Sequence, residues 1–249
     1  MSKFVSMIVE ESTEHGSDII KEQHPQSLEI PESSSYSVIF SEKPVSYCIG
    51  IVDMVGSTQL AAKLGMKKMS KYYQHFLNFM SKIIAEYDGR VVKNIGDCLL
   101  FYFPKTLTED RHVATKALEC SHALVVARDL LCKQMQLECL PCVDYRVSLD
   151  YGEVMPMKST GSKLTDMIGP AVNMCSKINR YAERNGVVIG GDMYEVAKHS
   201  KVFDFKEIIS FPVGFRQCYP TYRPIKQLRD DCRSIAENQL LSVSITVDL

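Results

Sequence analysis

Two aspartates stand where a carboxylate can hold a hard cation while its backbone stays anchored: Asp53, ending an almost uninterrupted apolar run from Val45, and Asp97, just past the turn Ile95-Gly96. Paired carboxylates suit Mg²⁺, which takes oxygen ligands and leaves room for phosphate oxygens and water. Between Asp53 and the helical pattern that follows, Met54, Val55, Gly56, Ser57 and Thr58 make a turn whose backbone N–H groups can face an anion at a helix start. Lys93 precedes Asp97 on the outgoing arm of the same hairpin. Arg146 sits on a strand that is otherwise apolar, and Asp166 and Asn173 bracket the helix start at Gly169-Pro170. Taken singly, Lys93 and Asp97 read as solvated turn charges and Arg146 as half of a buried ion pair. Taken together, separated segments bring carboxylates, cations and an anion-binding turn into one chain, which is what a nucleotide site with metal ions requires.

Positioning these residues calls for a mixed fold. The run Val45 to Asp53 is apolar on both faces, as a central strand is. Arg90 to Ile95 alternates and Cys98 to Phe103 is apolar and aromatic; the connection is too short for anything but a hairpin, with Gly96 supplying a positive φ and Asp97 opening the returning strand. Apolar periodicity predicts helices over 58–64 and 67–87, where Met69, Tyr72, Phe76, Met80 and Ile83 form a core stripe, and over 109–135, 172–183 and 192–199. Further strands are expected over 143–153, 187–189, 203–209 and 216–223, with a loop running to Lys163. The order gives an α+β sandwich, helices on a mixed or antiparallel sheet, built on the ferredoxin-like βαββαβ plan. Residues 1–42, acidic and serine-rich, read as a mobile N-terminal arm, 43–225 as the folded domain, and 226–249 as a weakly patterned C-terminal tail.

The chain has 249 residues, with 29 basic against 30 acidic side chains and no dense basic block, which leaves no electrostatic footprint for nucleic acid or an anionic membrane surface. Its nine cysteines are an odd number, fall largely in apolar segments and follow no signal peptide, a pattern of reduced thiols in a cytoplasmic protein. Cys139 and Cys142 form a lone CxxC without the second pair that a zinc ribbon needs. No apolar run reaches the roughly 18 residues of a membrane span.

Four ordered motifs resemble the catalytic domain of the class III nucleotidyl cyclases, the family of adenylate and guanylate cyclases. They are Ile51 to Thr58, Val92 to Asp97, Tyr145 to Val147 and Asp166 to Asn173, and the resemblance covers roughly residues 45 to 223. It implies conversion of ATP to 3′,5′-cyclic AMP and pyrophosphate with two Mg²⁺ or Mn²⁺ ions per site. Asp53 and Asp97 match the metal-binding aspartates, with the backbone carbonyl of Met54 a further ligand. The turn Val55, Gly56, Ser57 and Thr58 matches the triphosphate loop, and Arg146 an arginine on the terminal phosphates. Lys93 and Asp166 match the pair that reads the purine edge in adenylate cyclases: adenine offers an acceptor and a donor, which a lysine and an aspartate complement. Guanylate cyclases typically carry Glu and Cys at these places. Asn173 matches the residue that orients the ribose.

The sequence also departs from the family. Lys177 stands where a transition-state arginine is usual, keeping the charge but not the bidentate fork; Arg180, on the same helical face, could supply the guanidinium instead. A phosphate-binding lysine is missing where Val213 precedes Gly214, and Ser148 and Asp150 replace the usual Gly and His. In the family each site is shared between two domains, and this chain carries both sets of residues, so the resemblance implies a head-to-tail homodimer. A cyclase for GTP or a pyrimidine triphosphate, and a weakened nucleotide-binding regulatory module, are the alternatives.

Overall fold

The computed structural model describes residues 37–104, 110–160, 165–213 and 216–227. The expected arm, except for its last residues, and the expected tail, except for Lys226 and Gln227, lie outside the described residues, as does Gly214.

Strands β1 (Val38–Phe40), β2 (Val45–Met54), β3 (Arg90–Ile95), β4 (Cys98–Phe103), β5 (Tyr145–Ser159), β6 (Thr165–Ile168), β7 (Gly186–Gly190), β8 (Phe203–Val213) and β9 (Arg216–Lys226) alternate with helices α1 (Ser57–Glu86), α2 (Asp110–Val126), α3 (Arg128–Leu137), α4 (Pro170–Asn179) and α5 (Gly191–Ala197). The main sheet runs β3-β4-β2-β5-β7-β9-β8, with β1 and β6 both paired to β5. Its first four strands, in the spatial order β3-β4-β2-β5 and all antiparallel, carry the expected βαββαβ plan. Only β7 joins β5 in parallel, through the crossover of α4.

Burial follows the apolar runs. Ile49, Ile51, Leu100, Val154, Ala171 and Cys175 form one cluster between the sheet and α4. Phe76 of α1 packs against Tyr145, whose hydroxyl donates to the Leu124 carbonyl oxygen at 2.5 Å, tying helix layer to sheet. Gly50 is required where it stands: a Cβ would meet the Phe101 ring of the paired strand at 2.2 Å.

Several expected bounds shift for identifiable reasons. The two helices expected over 58–64 and 67–87 are found as such, meeting at a kink at Gly65, which takes φ 71 within Ser57–Glu86; the differences lie elsewhere. The single helix expected over 109–135 breaks at Ala127; the break lets Arg128 donate to the Val143 carbonyl oxygen and Asp144 at the entry to β5. The loop expected up to Lys163 is largely strand, because β5 continues to Ser159 by pairing with β6 and β1. Asp166 thus lies on a strand, and Val38–Phe40, within the expected arm, pair with Met157–Ser159. Asp97 is the second turn residue rather than the first of the returning strand, since Ile95 pairs directly with Cys98. Gly96 takes φ 63 and Asp97 does not have a positive φ, the pattern of a type II′ hairpin turn. The expectation that the cysteines are all thiols is corrected by a Cys132–Cys142 disulfide; Cys139 of the CxxC remains free.

Candidate active site

The central strands assemble one group of site residues by register alone. On β2, Asp53 pairs with Arg146 of β5 on one side and with Cys98 of β4 on the other, so Asp97 stands next to it at the turn. Burial, with repulsion from Asp97, pushes Asp53 up to about 6 against the pull of Arg146. Burial and the same two aspartates push the Cys98 thiol up to about 12, and burial and Asp97 also raise Tyr73 of α1.

Arg146 forms no ion pair among the described residues, and its Nε is buried without a hydrogen-bond partner. Among the described residues, then, no buried ion pair accounts for Arg146, and its Nε is a donor without an acceptor. Beside it, α1 begins after Gly56 (φ 76) with no side-chain cap and no acidic residue in its first turn, so its first N–H groups are not taken up by a capping side chain. The turn is held from below by the Val55 N–H, which donates to the Asp144 carbonyl oxygen at 2.8 Å.

These features fit divalent metal ions with a polyphosphate. A carboxylate pushed up by burial and by a neighbouring aspartate is relieved by a cation, and an unpartnered guanidinium nitrogen and an uncapped helix start are relieved by phosphate. No group of three or more His, Cys, Asp or Glu side chains that could hold a metal occurs among the described residues.

A second group forms on the flanking strands. Lys93 Nζ and Asp166 Oδ2 form an ion pair, and Asp166 Oδ1 accepts from the Met167 N–H at 2.7 Å. A β-bulge between Val91 and Lys93 turns Val92 inward and sets the direction of Lys93. The third group lies on α4, where Asn173, Lys177 and Arg180 are all exposed. Lys177 has no ion pair among the described residues, while Arg180, at the helix end, donates to the Tyr181 hydroxyl at 2.8 Å and lies over its ring.

Sequence reading missed the residues that fix this frame. Asp144 accepts from Arg128 Nη2 at 2.7 Å, Asn185 Nδ2 at 2.7 Å and Arg184 Nη1 at 2.9 Å. Burial works to raise its pKa, but the hydrogen bonds from Asn185 and Arg128 outweigh it and hold the carboxyl below the usual range. Asn185, in a left-handed conformation at φ 57, also takes the Tyr145 N–H at 3.1 Å. Asn179, buried, donates to Ser148 Oγ at 3.1 Å and to the Arg146 carbonyl oxygen at 3.5 Å. The turn-forming pair Asn185-Gly186 and the polar Asn179 on an apolar helix face were the available signals; their partners lie too far away in sequence to be named.

A profile of the adenylate and guanylate cyclase catalytic domain matches residues 41–222. The chain belongs to that family. Among curated relatives of this cyclase domain, the cytidylate cyclase of Staphylococcus aureus is 23% identical over 72% of the chain and 42% of its own length. The adenylate cyclase of Glutamicibacter nicotianae is 28% identical over 58% and 30%. The chain thus spans less than half the length of these relatives. Among solved structures, the adenylyl cyclase CyaB from P. aeruginosa superimposes with a TM-score of 0.66 at 22% identity, covering 76% of this chain and 97% of that one. The guanylyl cyclase Cya2 gives 0.66 at 18%, covering 75% and 95%. The fold is that of the class III catalytic domain. No helix among the described residues of this cyclase domain is long and apolar enough to cross a membrane.

Proposed function

We propose that this domain cyclises ATP to 3′,5′-cyclic AMP and pyrophosphate, at sites shared between the two subunits of a head-to-tail homodimer. The observation that carries the reading is the unsettled cluster on the central strands: Asp53 pushed up to about 6 beside Asp97, with Arg146 Nε buried and unpartnered. Asp53, Asp97 and the Met54 carbonyl would hold two Mg²⁺ or Mn²⁺ ions. When bound, such ions lower the pKa of the ribose 3′-hydroxyl that attacks the α-phosphate and neutralise charge on the departing pyrophosphate.

The chain's own residues do the rest. Arg146 and the backbone of Val55, Gly56, Ser57 and Thr58 bind the terminal phosphates and hold the leaving group in line. Lys93 donates to adenine N1 and Asp166 accepts from the 6-amino group; each keeps spare hydrogen-bonding capacity beyond their mutual ion pair. Asn173 orients the ribose from α4 of the other subunit. Lys177 stabilises charge growing on the α-phosphate, and its lack of an ion pair favours it over Arg180, already engaged by Tyr181. The cytoplasm, where ATP and Mg²⁺ are abundant, is the compartment this reading implies. A second reading, a pyrimidine triphosphate as substrate, is favoured by the similarity to a protein named cytidylate cyclase.

Purified protein incubated with each of the four nucleoside triphosphates and Mn²⁺ or Mg²⁺, with products separated by chromatography, tests both. Cyclic AMP as the main product supports the first reading, cyclic CMP the second, and no cyclic product from any triphosphate overturns both. Mixing Asp97→Ala and Asn173→Ala chains, each inactive alone, restores activity if sites are shared; confirmed subunit exchange without recovery refutes the head-to-tail dimer.

A further inference from the structure

The connection from α3 to β5 carries three sulfurs that the nucleotide site does not use. Cys132, on α3, is joined by a disulfide to Cys142, ten residues on, with their Cα atoms 4.7 Å apart. Inside that loop Cys139 is an exposed free thiol in CxxC spacing with Cys142. It occupies the position after the α3 cap, with φ 56, and the Leu140 N–H closes back on the Met135 carbonyl oxygen at 2.9 Å. Glycine is the usual residue there. Of the bridged pair, Cys132 is 6% exposed and Cys142 is exposed, so an incoming thiolate reaches the Cys142 sulfur. The two sulfurs lie 3.9 and 4.0 Å from the Val143 carbonyl oxygen, which also accepts from Arg128 Nε at 3.1 Å.

The bridged segment leads into the nucleotide site. Tyr72 donates to the Cys142 carbonyl oxygen at 3.4 Å, the Asp144 carbonyl oxygen takes the Val55 N–H at 2.8 Å, and Arg146 follows two residues later. We propose that Cys132, Cys139 and Cys142 form a thiol–disulfide site, poised by a low-molecular-weight thiol and its disulfide, that sets how firmly residues 143–146 hold Val55 and Arg146. The redox part stands alone; the effect on triphosphate rests on the cyclase reading.

The exchange balances. An external thiolate attacks the Cys142 sulfur, the Cys132–Cys142 bond breaks, and Cys132 leaves as a thiolate that takes a proton from water. The Cys139 thiolate then attacks the same Cys142 sulfur, expelling the external thiol and moving the bridge within the CxxC. A second external thiolate opens this bridge to a mixed disulfide, and a third attacks the external sulfur of that mixed disulfide, leaving three protein thiols and one external disulfide, a net two-electron reduction.

The test uses the full chain equilibrated over a range of glutathione to glutathione disulfide ratios, acid-quenched, alkylated and mapped by peptide mass. We expect Cys132 and Cys142 to become alkylatable together in a chain that stays folded by circular dichroism, and a Cys139–Cys142 bridge to accumulate in wild type but not in Cys139→Ser. Amide exchange at Val55 and 143–146 should be faster in the reduced chain, and the KM for triphosphate about fivefold higher or more, with kcat moving less. Cys132→Ser should show the reduced-state exchange rates at every ratio. A pair that opens only on unfolding, or that never closes at oxidising ratios, overturns the redox site. Equal amide exchange in the two states overturns its coupling to Val55 and Arg146. If the pair titrates and Val55 responds while no triphosphate is cyclised, the cyclase reading fails and the redox site stands.

Discussion

Asp53, Asp97 and Arg146 meet at the ends of the central strands with their charges unsettled, whereas Lys93 and Asp166, on flanking strands, neutralise one another directly. In the first region burial and repulsion raise Asp53 to about 6, and the nearest cation keeps a buried nitrogen without a partner. In the second, the lysine and the aspartate are each partly exposed, at 39% and 25%, and already paired. Neither state is an accident of sequence. The register of β2 with β4 and β5 forces the first three together whatever their charges, while the bulge in β3 and the extra strand β6 bring the other two together from elements that need not have met. A region that stores unfavourable charge is one that ligands can repair, and a region already at rest can only be read. The first should therefore govern whether catalysis happens, the second on what.

That division predicts effects of very different size. On the proposed reading, Asp53→Ala or Asp97→Ala should lower cyclase activity by roughly 10³-fold or more while leaving circular dichroism unchanged, because each would remove a ligand of the proposed metal ions from a charge-stabilised transition state. Near-normal turnover in either variant would sink the two-metal assignment. On α4, Lys177→Met should lower kcat by about 10- to 10³-fold at saturating triphosphate and metal, with Lys177→Arg raising it and Arg180→Met mild. If Arg180→Met does the damage and Lys177→Met little, the roles are exchanged. The base-side pair should show a smaller and different response: Lys93→Glu with Asp166→Cys should shift the ratio of ATP to GTP turnover by about 10- to 100-fold with total activity reduced far less than in the aspartate variants. An unchanged ratio would remove both residues from base recognition.

The parts of this comparison were unequally legible in the sequence. Apolar continuity from Val45 and the short hairpin at Gly96 fix β2, β3 and β4 as strands and the register of β3 with β4, whereas the meeting of Asp53 and Asp97 depends on the non-local pairing of β2 with β4 and was legible only through the family resemblance. The pairing of Lys93 with Asp166 was not readable from periodicity: it depends on β5 running on to Ser159, where mixed residues gave no clean alternation and the stretch looked like loop. The break at Ala127 escaped for a related reason. Nothing local opposes a continuous helix there, and what interrupts it is a tertiary contact, Arg128 reaching Asp144 across the start of β5. Residue roles on α4 came only through family resemblance, since three exposed polar side chains on a helix otherwise read as a solvated face.

The smallest effect is the one that separates the two regions most cleanly, because it has opposite signs in stability and in function. Asp53 has a folded pKa of about 6 against the ordinary value of 3.8, so between those values the folded chain binds more protons than the unfolded chain, and stability of the metal-free protein falls as pH rises through that window. Asp53→Asn removes the charge at similar size. It should stabilise the metal-free protein at pH 8 by about 0.5–1 kcal/mol, at the low end for relief of a functional-site strain because half of the side chain stays near water. The gain should fall to about a third near pH 4.5, where wild-type Asp53 is protonated in the fold but still mostly ionised when unfolded. Saturating Mn²⁺ should reverse the order at pH 8, since only the carboxylate gains from the ion. Asp166→Asn, by contrast, breaks a partly exposed pair and should cost at most about 1 kcal/mol, with little change on adding metal. Chemical denaturation of the three proteins at both pH values, with and without Mn²⁺, reads all of this. Should Asp53→Asn prove as destabilising at pH 8 as at pH 4.5, the carboxylate is settled by contacts within the fold, and the contrast between an unsettled cluster and a satisfied pair does not hold.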